Sequence, residues 1–357
     1  MLGHLSKRSV ASRILHVNHH SSAPTLKVTI FGASSQIAHS ISEPLGKLQS
    51  QIFFPVRTSD KWVDHLKVST VYKNISIRGY IDYDDPDIFD RLIEDSNVVI
   101  NLTGAHKYIK DPEVVYDSNV TFSRRLAQAV ARNPDVLRLI HFSAVGADPD
   151  SNSNWLRTKW IGEQEVKAAF PGATVFRPAT IFGEFDNFVM RIGLLQSWLG
   201  FVPVIDDAKE LRQPIYGHDL GTAVMNALKM PETVGKTYEL GGPHVYSMKE
   251  ICEIVYNKIG KPPVLRSIPY KTASRFFSYF PHAHGFTRFM SIHDVHESKI
   301  DLVVSEDALK ISDLYVKPVS FSQNLKRILV DYVAKTDLTG DEQEHGWYNG
   351  HDRHYEP

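Results

Sequence analysis

The sequence has a single cysteine and no long hydrophobic run, and both absences limit what the protein can be. Cys252 stands alone among 357 residues, which excludes an intrachain disulfide and any metal site built from several cysteines, and favours a reducing compartment. The longest apolar candidate, residues 192–205, contains Gln196 and Ser197 and is too short to cross a bilayer. The formal net charge is only -1, so contacts with nucleic acid or acidic membranes would have to come from local clusters of charge.

Acidic residues are also missing from the start of the chain, where the first is Glu43. Residues 1–24 contain Lys7, Arg8 and Arg13, five serines and four histidines, with apolar residues at roughly helical spacing. An acid-free segment of this composition is typical of a mitochondrial presequence. A disordered basic tail is the alternative interpretation.

From residue 26 to about 180, short apolar runs alternate with helical patterns. Strands are predicted at residues 26–31, 51–55, 75–79, 97–102, 136–142 and 173–176, and a further strand–helix pair, residues 213–216 and 217–229, is expected to return to the same sheet. This alternation predicts an α/β fold with a Rossmann-type, doubly wound parallel sheet. We expect a presequence-like segment at 1–24, a Rossmann domain at 25–184 with 213–229 returning to it, a smaller, mainly helical lobe at 185–335, and an extended tail at 336–357.

The turn after the first strand, residues 32–38, has the position of a dinucleotide-binding turn. Glycines are expected at its first, fourth and seventh positions, but only Gly32 is present, with Ser35 and Ala38 at the other two. The next helix would present its N–H groups to the pyrophosphate. Ala38 is a mild change, whereas Ser35 puts a side chain where the backbone approaches the phosphates. Nucleotide binding is therefore expected to be weakened but not lost, since a serine can donate a hydrogen bond to phosphate.

Residues after the second, third and fourth predicted strands also match the positions that contact a nucleotide in this fold. Arg57 comes after the second strand, where NAD-binding proteins have an acid, and it suits the 2′-phosphate of NADP(H); a solvated arginine is the competing interpretation. Asp82 and Tyr83, after the third strand, would lie beside the adenine. The Leu102–Gly104 turn, after the fourth strand, puts a glycine where the backbone passes close to the cofactor.

The set of catalytic residues that a dehydrogenase of this fold needs is incomplete. Dehydrogenases of this fold combine a serine or threonine after the fifth strand with a tyrosine four residues before a lysine, on one face of the next helix. Ser143 and Lys159 occupy two of these positions, but the third is Trp155. An indole N–H does not ionise in the useful range, so it cannot carry the proton. Ordinary packing of Trp155 against the cleft is the preferred interpretation, and no catalytic residue is predicted.

These segments resemble the accessory nucleotide-binding subunits of mitochondrial NADH:ubiquinone oxidoreductase (complex I), a group of atypical short-chain dehydrogenases. The similarity covers about residues 26–240, most specifically in WLRTKWIGE and RPATIFGEFD, and continues loosely to about 330. It implies a non-catalytic, matrix-side subunit of the inner membrane, at the junction of the peripheral and membrane arms, that holds NADP(H) tightly among other complex I subunits. By position, the residues expected to line the cofactor, besides Tyr83, are Gly32, Ser34, Ser35, Gln36, Ile37, Arg57, Asp82, Leu102, Thr103, Gly104, Ser143, Lys159, Pro178, Ala179, Thr180 and Ile181.

Two other features leave alternatives open. Residues 254–293, here called the basic aromatic segment, contain no acid but several lysines, arginines, phenylalanines and tyrosines. This composition is typical of a segment that contacts lipid headgroups or an acidic partner. Core packing is the alternative interpretation. Nucleic-acid binding is not expected. The histidine pairs 282/284, 293/296 and 351/354 match no recognised ligand pattern, so no metal site is predicted. The alternative function is an active NADPH-dependent reductase with a non-standard proton donor.

Overall fold

The computed structural model describes residues 26–69, 74–109, 111–184, 186–279 and 290–329. The predicted presequence-like segment and the extended tail therefore lie outside the described residues, as do residues 280–289 of the basic aromatic segment.

The centre of the fold is a seven-stranded parallel sheet, which confirms the predicted α/β, doubly wound architecture. Its strands are β1 (Lys27–Phe31), β2 (Gln51–Pro55), β3 (Ile75–Arg78), β4 (Val98–Asn101), β5 (Arg138–Phe142), β6 (Thr174–Pro178) and β11 (Thr237–Leu240). The strand order is β11-β6-β5-β4-β1-β2-β3, so the chain reverses direction across the sheet between β1 and β4.

Helices cover both faces of this sheet. They are α1 (Ala38–Lys47), α2 (Ile88–Leu92), α3 (Pro112–Tyr116), α4 (Phe122–Arg132), α5 (Asn154–Ala169), α6 (Val189–Leu199), α7 (Gly217–Lys229), α8 (Met248–Ile259), α9 (Tyr270–Tyr279), α10 (Ile292–Glu297) and α11 (Leu325–Ile328), with a π turn, Asp117–Thr121, joining α3 to α4. Residues of α1 and α7 form the core with one face of the sheet, and residues of α2, α4 and α5 form it with the other. The central strands β4 and β5 are buried at every position, as expected for strands covered on both faces.

The remaining strands form three two-stranded sheets, β10-β7, β12-β9 and β13-β8. They are β7 (Ile181–Phe182), β8 (Val202–Ile205), β9 (Leu211–Arg212), β10 (Ile215–Tyr216), β12 (Tyr246–Ser247) and β13 (Leu265–Ile268). No helix among the described residues is long and apolar enough to span a membrane.

The expectation that residues 213–216 return to the main sheet is wrong. The short strand β10 pairs with β7, while β11 occupies the edge beside β6. Pro214 lacks the N–H that a longer ladder there would need. The helix that follows, α7, has the predicted bounds and packs closely on α1, since a Cβ on Gly221 would overlap the Ser40 carbonyl oxygen. The division into a Rossmann domain and a smaller lobe remains a prediction.

Candidate functional site

The residues predicted to line a cofactor follow the carboxyl ends of the parallel strands. Gly32 follows β1, Leu102 follows β4 and Ser143 follows β5. Neighbouring parallel strands end at the same edge of the sheet, so the topology brings these residues together where the strand order reverses. Ligands bind at such a switch point in open α/β sheets.

The turn after β1 requires its glycine. Gly32 has a φ of +91°, and a Cβ there would lie 2.8 Å from the Leu102 carbonyl carbon and 2.9 Å from the Thr103 nitrogen. Within the turn, the Ser35 N–H donates to the Gly32 carbonyl at 2.9 Å and the Ala38 N–H to the Ser35 carbonyl at 3.0 Å. The glycine therefore lets two loops of the site approach each other closely.

The side chains of this turn differ in exposure. Ser34 is exposed and Ser35 and Gln36 are half-buried, whereas Ile37 packs in the core. Gln36 accepts a hydrogen bond from the Asn187 N–H at 3.3 Å, which ties the turn to the loop beyond β7. The backbone of Ser35 closes the turn and its side chain is half-buried; its effect on phosphate binding remains a prediction.

The loop after β4 approaches the buried lysine of α5. The Thr103 N–H donates to Asn101 Oδ1 at 2.9 Å, while the Thr103 hydroxyl is buried without a partner among the described residues. A Cβ on Gly104 would lie 2.6 Å from Lys159 Nζ. The absence of a side chain at Gly104 therefore gives the ammonium its space.

Ser143 and Lys159 form the polar floor of the site. Ser143 is 4% exposed, and its hydroxyl has no partner in the described part of the chain. Lys159 Nζ donates to the Phe142 carbonyl at 3.2 Å, and burial lowers the pKa of Lys159 to about 8. A buried hydroxyl without a partner is unfavourable unless a ligand or water supplies one.

Trp155 is half-buried beside Lys159, on the same helix. Its indole N–H donates to the Ala105 carbonyl at 2.7 Å, and Lys107 Nζ lies 4.6 Å from the centroid of its ring. Lys107 in turn forms an ion pair with Glu297 at 2.6 Å. The tryptophan is therefore a packed and hydrogen-bonded part of the cleft wall.

The other predicted contacts lie at the same edge. Arg57 and Asp82 follow β2 and β3 and are exposed. Tyr83 is half-buried among aromatic rings, and its hydroxyl donates to the Pro55 carbonyl at 3.0 Å. Burial raises the pKa of Tyr83, and the charge of Arg57 opposes that rise.

Residues 178–181 continue from β6 into β7. The Ala179 N–H donates to the Leu240 carbonyl at 2.8 Å, the Pro178 carbonyl accepts from the Val145 N–H at 3.0 Å, and the Thr180 carbonyl accepts from the Ile215 N–H at 2.9 Å. Their backbone is thus held by three neighbouring segments.

Two features of this region could not be predicted from the sequence. Lys107 and Glu297, which support Trp155, are far apart in the chain and belong to no motif. A cavity of about 530 Å³, lined in part by Asp148, Arg177 and Glu239, lies beside the site, but none of the predicted cofactor residues lines it.

Comparison with known proteins agrees with the resemblance seen in the sequence. A protein of Arabidopsis thaliana named NADH dehydrogenase (ubiquinone) 1 alpha subcomplex subunit 9, mitochondrial, is 29% identical over 339 residues, which are 93% of this chain and 82% of that protein. The NADH-ubiquinone oxidoreductase 40 kDa subunit, mitochondrial, of Neurospora crassa is 28% identical over 305 residues, 85% of this chain and 79% of that protein. The predicted resemblance is thus confirmed.

The fold is shared with a solved enzyme structure. The dTDP-glucose 4,6-dehydratase of Streptomyces venezuelae, with NAD bound, has a TM-score of 0.67 at 15% identity, over 91% of this chain and 99% of that one. Residues 24–324 match the model of the NmrA-like family. Since this match covers most of the sequence, the chain belongs to the NmrA-like family.

Proposed function

We propose that this protein is a non-catalytic accessory subunit of mitochondrial complex I that binds NADP(H) as a structural group. It would lie on the matrix side of the inner membrane, at the junction of the peripheral and membrane arms, and contact other complex I subunits. The observation that carries this proposal is Trp155, packed where the proton-donating tyrosine of an active dehydrogenase would stand.

Membership in complex I is supported by the extent of the similarity. The relatives named as its subunits match from 84% to 93% of the chain, so the similarity is not confined to the nucleotide-binding half. The acid-free amino-terminal segment agrees with import into mitochondria.

The residues at the sheet edge fit a dinucleotide. Gly32 forms the tight turn that a dinucleotide-binding loop needs, and the exposed Ser34 and half-buried Ser35 would offer hydroxyl donors to a pyrophosphate beside it. The buried hydroxyls of Thr103 and Ser143 lack partners among the described residues, and hydroxyl or amide groups of a bound ligand would satisfy them. Lys159 would hold the nicotinamide ribose.

Among the described residues, the groups around Trp155 leave no proton donor for the oxidation of NADPH by a substrate. NADPH supplies a hydride when it reacts, and a carbonyl substrate would then need a proton from a nearby acid. The indole N–H is already donated to Ala105, and the Lys107 ammonium on the ring is paired with Glu297. The site is therefore suited to binding the nucleotide, which stabilises the fold by ligand linkage.

The first experiment identifies what the protein binds and where it assembles. A tagged copy expressed in its own mitochondria should co-purify with complex I, and mass spectrometry of the denatured complex should detect NADP(H) in proportion to the subunit. The isolated subunit should not oxidise NADPH with a broad panel of carbonyl substrates. Steady oxidation with any of them would instead establish the alternative, an active reductase with a non-standard proton donor.

The second experiment tests the choice of nucleotide. Arg57 is exposed at the carboxyl end of β2, where its guanidinium would pair with a 2′-phosphate. Arg57→Ala should weaken binding of NADPH by about 10-fold or more, the loss of a charge-assisted contact of about 1.5–3 kcal/mol, and leave NADH binding nearly unchanged. Lys236→Ala is the control, because Lys236 is exposed at the opposite edge of the sheet. Equal losses for the two nucleotides in calorimetry would contradict this role.

Contact with lipid headgroups is proposed for part of the basic aromatic segment. On α9, Ala273 and Phe277 are buried, whereas Lys271, Arg275 and Tyr279 are exposed. Cations beside an exposed aromatic ring suit an anionic membrane surface. A Lys271→Glu, Arg275→Glu variant should lose sedimentation with vesicles rich in anionic lipid, and wild-type protein that does not sediment with them would refute the contact.

A further inference from the structure

A cluster of two histidines and one glutamate lies where α1 and α7 pack together. His39 and Glu43 are four residues apart and so share one face of α1, and His218 is the second residue of α7. One nitrogen or oxygen atom from each of the three lies within 4.8 Å of the others. His218 Nδ1 is 3.3 Å from Glu43 Oε2, about the separation of two ligands bound tetrahedrally at ~2.0–2.1 Å from one ion.

A second carboxylate fixes the orientation of the His218 ring. His218 Nε2 lies 3.4 Å from Glu184 Oε2, and the Tyr216 hydroxyl donates to Glu184 Oε1 at 2.9 Å. Metal-bound histidines usually donate their other ring N–H to such a carboxylate, which leaves the first nitrogen free to bind the metal.

We propose that His39, Glu43 and His218 Nδ1 bind a divalent transition-metal ion, for which zinc is the best match, with Glu184 positioning His218. Two imidazoles and one carboxylate form a known zinc ligand set that leaves the fourth position to water. Imidazole nitrogens also favour zinc over magnesium or calcium. The side chains of Glu43 and His218 are 29% and 31% exposed, so an ion can reach the cluster from solvent.

The carboxylates of Glu43 and Glu184 each have one oxygen that faces His218. Two cations pair with the carboxylate oxygens that do not face His218: Lys47 pairs with Glu43 Oε1 at 2.8 Å and Arg327 with Glu184 Oε1 at 3.2 Å. Glu43 Oε2 remains directed at the histidine.

Such an ion would join α1, which begins after the Gly32 turn, to α7. The sequence predicts no metal site, because its histidine pairs close together in the chain match no recognised ligand pattern. His39 and His218 come together through the helix packing at Gly221, and no spacing rule in the sequence records that contact. This inference is independent of whether the protein binds NADP(H).

The test is a zinc titration of the full-length protein after removal of metals with a chelator. The chain has 17 histidines, so the site is identified by comparison with variants. Wild-type protein and a His244→Gln control, whose histidine is exposed elsewhere, should bind one zinc ion more tightly than any other. His39→Gln and His218→Gln should lose that ion, and Glu184→Gln should bind it about 10- to 100-fold more weakly.

Cobalt provides a measurement that does not depend on how the variants fold. Co²⁺ added to the metal-free wild type should give the intense visible absorption of a four-coordinate site, and zinc should abolish it. Zinc binding by His39→Gln and His218→Gln equal to that of the wild type would overturn the proposal. A cobalt spectrum of six-coordinate form only would also overturn it. Since His39→Gln keeps the contact between His218 and Glu184, its loss of zinc cannot be ascribed to that contact.

Discussion

Replacing Gly32 with alanine tests whether the turn after β1 needs its glycine for conformation, for space, or for both. The φ of +91° costs an L-residue about 1–2 kcal/mol. The new Cβ would also lie 2.8 Å and 2.9 Å from backbone atoms of Leu102 and Thr103, and shifting that loop costs about 1–3 kcal/mol more. We therefore expect Gly32→Ala to lower the free energy of unfolding by about 2–5 kcal/mol, the sum of these two ranges.

Gly200 provides the matched control for this substitution. It ends α6 with a φ of +72°, and a Cβ there would meet nothing within 4 Å. Gly200→Ala should therefore cost only the conformational part, about 1–2 kcal/mol. Urea denaturation followed by circular dichroism gives both values, and calorimetry with NADPH should show weaker binding in Gly32→Ala alone. Equal destabilisation of the two variants would refute the claim that the loops after β1 and β4 are in contact through this glycine.

Three further substitutions test the buried polar groups. The pKa of Lys159 is about 8 in the folded protein, below its ordinary value of 10.5, so between these pH values the unfolded chain binds more protons than the folded one. The free energy of unfolding should therefore rise by about 3 kcal/mol as the pH increases across that window. Lys159→Met should remove this rise, which is measured by urea denaturation at a series of pH values. Ser143→Ala removes a buried hydroxyl without a partner among the described residues, so the nucleotide-free variant should be as stable as the wild type or up to about 1 kcal/mol more stable. The same variant should bind NADPH more weakly in calorimetry. Stronger binding would contradict a contact between Ser143 and the nucleotide. Glu163 is fully buried and paired with Arg177 at 2.8 Å, so Glu163→Gln should cost about 3–5 kcal/mol, while Asp207→Asn, in an exposed pair, should change thermal unfolding by under about 1 kcal/mol.

The sheet was largely predictable because its signals are local. A strand buried on both faces is a short apolar run, and a helix over it has an apolar stripe, so each element can be recognised within its own residues. The second strand, Gln51–Pro55, and the helix at Gly217–Lys229 have the predicted bounds. The strand expected at residues 213–216 was misplaced, because a short apolar run does not specify which strand it pairs with.

The candidate site also has a part that can be predicted from the sequence and a part that cannot. The sequence by itself predicts Gly32, Ser143 and Lys159 as members of one cleft, because parallel strands end at a common edge and the helix period fixes the spacing of Trp155 and Lys159. It also predicts that Trp155 stands in place of a proton donor.

Only the tertiary structure decided what those residues contact. It alone shows that the Ser143 hydroxyl lacks a partner among the described residues and that Trp155 donates to Ala105. It also brings His39 on α1 and His218 on α7 into one cluster. These are contacts between elements remote in the chain, and they depend on how helices and loops pack, which no periodicity within a single element encodes.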